Sequence, residues 1–220
     1  MRSLAQPHVL VRAGLAALVT SLICCPRLAL WTDRTGSVFF LWLILLWAMF
    51  ILWAFVFAWQ SKYAHRPAIN FQFPPELWAG ATLYALALAV VNYHYDPQLH
   101  AIVPGDYPAN LDAWVAMTLF ALALEPLFFC FAPYALFIRL ARRADLAAIL
   151  TVLFGIFVVG LRLNIAHPPV PFWFAAQAIF LRAVAGFVSI YFYLRGGAFV
   201  IWWMRLIVQV HFLAFLAQSR

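Results

Sequence analysis

From Ser37 to Trp59 the chain runs for 23 residues without one charged side chain. An α-helix rises about 1.5 Å per residue, so this stretch covers the ~30 Å hydrocarbon core of a bilayer with residues to spare. This one segment commits the chain to a membrane.

Further helical spans read at 13–30, 77–93, 113–138, 146–163, 172–194 and 198–216. The expected fold is therefore an all-α polytopic transmembrane bundle of seven or eight helices. The first span is the least clear, because Arg12 and Pro26-Arg27 leave a short apolar core like that of a cleaved signal sequence. No small-residue cleavage site follows Cys24-Cys25, so it is read as a retained helix. With 67% hydrophobic and 10% charged residues, against about a quarter charged in soluble domains, residues 1–220 read as a single integral membrane domain.

Basic residues mark cytoplasmic helix ends. Arg2 and Arg12, then Lys62 and Arg66, then Arg139, Arg142 and Arg143, then Arg195 fall at alternate ends of the spans, whereas 94–112 holds Asp96, Asp106 and Asp112 and no Lys or Arg. The N-terminus is expected inside and the C-terminus outside. The net charge of +7 is spread over helix ends, as positive-inside topology and lipid headgroups require, and nucleic acid is not an expected partner. Cys24, Cys25 and Cys130 read as small apolar packers rather than a disulfide framework. Trp31, Trp59, Trp78, Trp114 and Trp173 lie near span ends and suit an interfacial aromatic belt.

The only carboxylate inside a span is Glu125, in Leu124-Glu125-Pro126-Leu127-Phe128-Phe129-Cys130. An ionisable group at this depth costs several kcal/mol unless paired or hydrated, so it marks a polar site. Arg182 and Arg205 interrupt the sixth and seventh spans, with His211 further along the seventh. Counting ~1.5 Å per residue, Glu125, Arg182 and His211 fall within about a helical turn in depth. One reading is a Glu125–Arg182 ion pair that fixes helix register; the other is a polar cavity in which Glu125 activates water or binds a ligand. Pro126 and Pro133 each remove a helix N–H and kink this fourth span.

A second candidate is His94-Tyr95-Asp96 with His100 and Asp106, side chains of the kind that hold zinc or another divalent ion. Asp96-Pro97 reads as a turn, and solvated loop residues are the competing account. No phosphate-cradling glycine loop, Ser-His-Asp arrangement or helical pair of histidine ligands is present, and no cofactor is expected. Gly196-Gly197 reads as a turn between spans, and His8, His65 and His167 lie near helix ends.

Over about residues 112–217 the chain resembles the CPBP family, the CAAX-protease and bacteriocin-processing (Abi) group of intramembrane endopeptidases. Glu125 to Phe129 is similar to the start of that family's Glu-Glu-x-x-x-Arg motif, and Pro133-Tyr134 and Arg142-Arg143 to the segment after it. Leu153-Phe154-Gly155-Ile156-Phe157 resembles the second motif, and Phe192-Tyr193-Leu194-Arg195-Gly196-Gly197 the turn before the last. The second glutamate falls on Pro126, the arginine on Cys130, the two histidines on Val158 and Leu206, and the asparagine on Val210. A one-residue shift would put Arg205 and Gln209 at the final pair, on one helix face.

In the active family the resemblance implies glutamates and histidines that position and deprotonate a water. Only Glu125 survives here, and arginine stays protonated and cannot act as a base. An arginine close enough to stabilise an oxyanion would also engage Glu125, so those roles compete. The expectation is the family fold in a bacterial inner membrane with lost or altered catalysis, binding a membrane-embedded peptide, lipidated chain or partner helix near Glu125. Two alternatives stand beside it: a divergent endopeptidase using Glu125 with His211, and an accessory subunit whose aromatic surface packs on partner helices.

Overall fold

A computed structural model of the chain describes residues 4–32, 37–70, 74–165 and 170–218; His167 lies outside them. Every regular element among these residues is helical: α1 (Pro7–Thr32), α2 (Val38–Ala64), α3 (Pro75–Ile102), α4 (Leu111–Pro126), α5 (Ala132–Ala141), α6 (Ala144–Ile165), α7 (Phe172–Val208) and α8 (His211–Gln218). Among the described residues, five stretches are long and apolar enough to cross a membrane, against the seven or eight expected: Pro7–Thr32, Val38–Ala64, Leu111–Ala141, Ala144–Ile165 and Phe172–Ala217.

The helix boundaries follow from local chemistry. The Asn110 side chain accepts the Ala113 N–H at 2.8 Å and caps α4, with Asp112 in the first turn where the helix dipole favours an anion. Pro75 opens α3, at a position where its missing N–H has no helical partner to lose, and Glu76 follows. His65 and Arg142 close α2 and α5 in the left-handed region, at φ 53° each.

Two sequence features break the helical regularity. Between α4 and α5, Leu127–Phe131 widen into a π-helical turn, closed by a bond from the Ala132 N–H to the Leu127 carbonyl. Pro133 lacks the N–H that Phe129's carbonyl would take in an α-helix, so a wider turn here is locally inexpensive. The second break is Gly197, at φ 71° and ψ −165° inside α7. A Cβ there would meet the Asn70 nitrogen at 2.9 Å and the Ala68 carbonyl at 3.1 Å. The 65–70 loop docks on this break: Ala198 N–H donates to Ala68 O at 2.9 Å and Arg66 Nη1 to Leu194 O at 2.6 Å, satisfying backbone the kink frees.

Packing runs α1 on α2 and α4, α2 on α5, α5 on α6, α6 on α7, and α3 on α7 and α8. Ala13, Ala17, Ser21, Cys24 and Leu28 form the buried stripe of α1; mostly small side chains let its backbone approach α2, as membrane helices require when lipid supplies no hydrophobic drive. Trp53 donates to Thr20 Oγ1 across that contact at 3.3 Å. Fully buried Phe131 sits at the middle of the bundle, stacked on Tyr193 at 4.5 Å. Outward-facing residues include Val11, Leu15, Phe39, Phe40, Trp47, Leu83, Val90 and Phe157, each more than half exposed. Trp59, read from sequence as a belt residue, is instead buried beneath the Arg139 guanidinium, 4.4 Å from its ring.

Candidate functional site

Glu125 stands one residue before Pro126 and the π turn. Its Oε2 meets Arg205 Nη1 at 3.1 Å, with the side chains 37% and 19% exposed. The structure therefore does not form the expected Glu125–Arg182 pair. Counting depth along helix axes carries no rotational information, and the Gly197 break turns the second half of α7, which bears Arg205, toward α4.

Arg182 is held differently. Its guanidinium lies over the Phe129 ring, 3.9 Å from Cζ to centroid, a cation–π contact. Gly155 of α6 supplies the room, since a Cβ there would come within 2.9 Å of Arg182 Nε. Phe129 and Gly155 thus form a slot for the side chain, close enough to Glu125 and Arg205 for both to act on it electrostatically. Arg182 and Arg205 line a cleft of about 230 Å³ between α3, α6 and α7. Asn92, Tyr95 and Gln177 add polar groups, while Leu88, Leu99, Val159, Phe174 and Leu181 are among its apolar walls.

His211 does not join Glu125. Its Nδ1 lies 2.7 Å from Asp96 Oδ2, and the Tyr107 hydroxyl donates to Asp96 Oδ1 at 2.9 Å. Asp96 and His211 are both buried, at 1% and 8% exposure. This corrects the reading of Asp96 as a solvated loop residue: α3 continues through Pro97 to Ile102, carrying His94, Asp96 and His100 on its last turns. A proline inside a helix costs about 3 kcal/mol or more; here the paired carboxylate and the contacts of His100 with Tyr107, edge-on, and Phe215, tilted, at 5.1 Å each, hold the segment against α8. Burial, reinforced by the bond to Asp96, pushes the Tyr107 phenol up, so it remains a donor at neutral pH.

The proposed metal set does not converge. Asp96 spends its oxygens on Tyr107 and His211, His94 lies edge-on to Tyr95 at 5.6 Å, and Asp106's side chain is outside the described residues. No three His, Cys, Asp or Glu side chains among the described residues gather as a metal site. Gln209 is buried, and its carbonyl accepts the Trp114 indole N–H at 2.9 Å. Leu206 and Val210, where the resemblance would set a histidine and the asparagine, are 40% and 48% exposed; Arg205, one residue earlier, reaches Glu125.

Sequence reasoning missed the Tyr107–Asp96–His211 chain and the Phe129–Gly155 slot. A signal for the first existed: Asn92, Asp96 and His100 recur every four residues, a helical face that continues across Pro97. The slot had none, because a glycine facing an arginine from another helix leaves no trace in local pattern. Compared with known proteins, the chain matches no family model, no curated protein and no solved structure.

Proposed function

We propose that this chain is an integral membrane protein on a CPBP-like framework that has given up peptidase chemistry. It holds a membrane-embedded guest, a peptide, lipidated chain or partner helix, in the cleft beside Glu125. The observation that carries this reading is the Glu125–Arg205 contact at 3.1 Å. A general base must be free to take a proton from a water within hydrogen-bond reach. Glu125 is engaged by one guanidinium, a second lies close by, and His211 is committed to Asp96 elsewhere. The alternative of a divergent endopeptidase using Glu125 with His211 loses its second group.

Seven crossings fit this reading. The stretch Phe172–Ala217 is 46 residues long, about 69 Å as helix, more than twice a ~30 Å core; it crosses twice about Gly197, and α3 supplies another crossing. Arg66 and Arg195 line a common hollow with Tyr134 and Ala144, while Arg27 reaches Gly105 near the opposite ends of the helices. That gathering supports a cytoplasmic N-terminus, with the outward-facing apolar side chains against lipid; the membrane we propose is a bacterial inner membrane.

The test is proteolysis by the purified protein in lipid nanodiscs, offered prenylated and transmembrane peptides. No product above that of Glu125→Ala is expected. A Glu125-dependent fragment would show that the glutamate works as a base and would overturn the reading.

A further inference from the structure

We propose that the cleft binds the oxyanion of a membrane amphiphile, a phosphate or carboxylate carried on an apolar chain, with Arg182 as its main contact. This rests on the reading of the cleft as a guest site and names the guest's chemistry.

Charge makes the first argument. Two guanidiniums, Arg182 and Arg205, share one carboxylate, and the 3.1 Å contact assigns Glu125 to Arg205. Arg182 makes no ion pair and no hydrogen bond among the described residues; its guanidinium lies over the Phe129 ring, in the space that a Cβ at Gly155 would fill. A guanidinium carries five N–H donors and no acceptor, so one charge and its donors remain unmatched in an apolar setting, where an unpaired charge is costly. A monoanion brings the group to neutrality. A zwitterionic headgroup brings its own cation and does not.

Shape makes the second. The Phe129–Gly155 slot confines the guanidinium between a ring and a helix backbone, and a confined planar fork suits two oxygens of one carboxylate or phosphate. The cleft of about 230 Å³ exceeds what one such group fills. Asn92, Gln177 and Tyr95 can bond further oxygens, and Leu88, Val159 and Phe174 offer apolar wall to the chain behind it. Polar groups grouped around a cation, with apolar surface leading away, match an amphiphile rather than a free ion.

Native mass spectrometry of the purified full-length protein tests this, with titrations of oleate, phosphatidylglycerol and phosphatidylcholine, each with and without inorganic phosphate. One saturable equivalent of oleate or phosphatidylglycerol is expected, bound roughly tenfold or more tighter than phosphatidylcholine, with Arg182→Gln removing that preference. Displacement of the bound lipid by equimolar inorganic phosphate would show that a free ion fills the site and would overturn the amphiphile, whereas lipid binding that phosphate does not displace supports it. Gly155→Ala keeps every charge and improves helix propensity, yet should weaken anionic binding by pushing the guanidinium from its slot, which keeps the test decisive if Arg182→Gln fails to fold. Lys62→Gln, an exposed cation at a helix end, should change nothing. Equal binding of phosphatidylcholine, an anionic preference that survives both Arg182→Gln and Gly155→Ala, or an equal loss in Lys62→Gln would overturn the inference. Those outcomes are separate from a Glu125-dependent cleavage product, which would overturn the non-peptidase reading and leave the anion site standing.

Discussion

Removing the Glu125 carboxylate should do more damage than removing either arginine. Two unit charges 4 Å apart attract by about 4 kcal/mol at an effective dielectric of 20. Breaking a buried pair costs roughly 3–5 kcal/mol, whereas exposed pairs are worth about 0–1 kcal/mol. With Arg205 19% and Glu125 37% exposed, this pair lies between those limits, and a coupling of about 2 kcal/mol follows. Glu125→Gln also leaves Arg182 and Arg205 facing each other with no anion, while Arg205→Gln frees Glu125 to turn toward Arg182. The order of destabilisation should therefore be Glu125→Gln, then Arg205→Gln, with Arg182→Gln least. Double-mutant cycles on equilibrium unfolding in mixed detergent micelles measure this: Glu125 with Arg205 should couple by about 2 kcal/mol and Glu125 with Arg182 by less than about 1 kcal/mol. A Glu125–Arg182 coupling equal to or larger than the Glu125–Arg205 one would refute the assignment of partners.

Gly197→Ala places a Cβ at positive φ within 2.9 Å of the Asn70 nitrogen; because the obstacle is backbone, a loss of about 2–4 kcal/mol is expected, and an unchanged melting temperature would show that the kink is not required. Asp96→Asn strips the charge from a buried chain of Tyr107 and His211, with an expected cost of about 2–3 kcal/mol and faster thiol labelling of a cysteine placed at Ala214 on α8; labelling at the wild-type rate would contradict a tether role. Cysteines placed at Pro104 should label from the non-cytoplasmic side and ones at Arg142 only once the inner face is opened, the reverse pattern inverting the proposed topology.

The helices were legible in sequence because lipid imposes a length and an apolar composition on any spanning segment. Helices cover the expected spans, though five rather than seven stretches among the described residues are long and apolar enough to cross: 77–93 lies on α3, outside those five, and 172–194 and 198–216 share one stretch, broken at Gly197 where the Gly196-Gly197 turn was expected. Glu125 was legible as well, since one carboxylate in an apolar run is conspicuous. Its partner was not. Arg182 and Arg205 both lie at reachable depth, and choosing between them needs the rotation of α7 on either side of Gly197, a tertiary quantity. Asp96 was misplaced for a different reason: Pro97 after an aspartate favours a turn, and only packing against α8 from 115 residues away holds the helix on through it.

The polar ties are unevenly shared along α7. Its second half is fastened by Ala198 to Ala68, Trp203 to Thr82 Oγ1 at 2.9 Å, Arg205 to Glu125 and the Gln209 carbonyl to Trp114, and His211 then joins α8 to Asp96. In lipid such bonds have little water to compete with them, so this half, which brings Arg205 to the cleft, is the more firmly held part of α7. The first half, from Phe172 to the kink, offers Arg182 in its slot, and the other side chains it turns to the cleft are mostly apolar. Van der Waals contacts slide at lower cost than paired charges separate. A guest entering from the bilayer would therefore displace the Phe172 end of α7 against α6, with Gly197 as the pivot. The carboxylate and Arg205 would stay in register, and the displacement would be greatest at the Phe172 end, so Arg182, held between Phe129 and Gly155, would keep its guanidinium turned to an arriving anion.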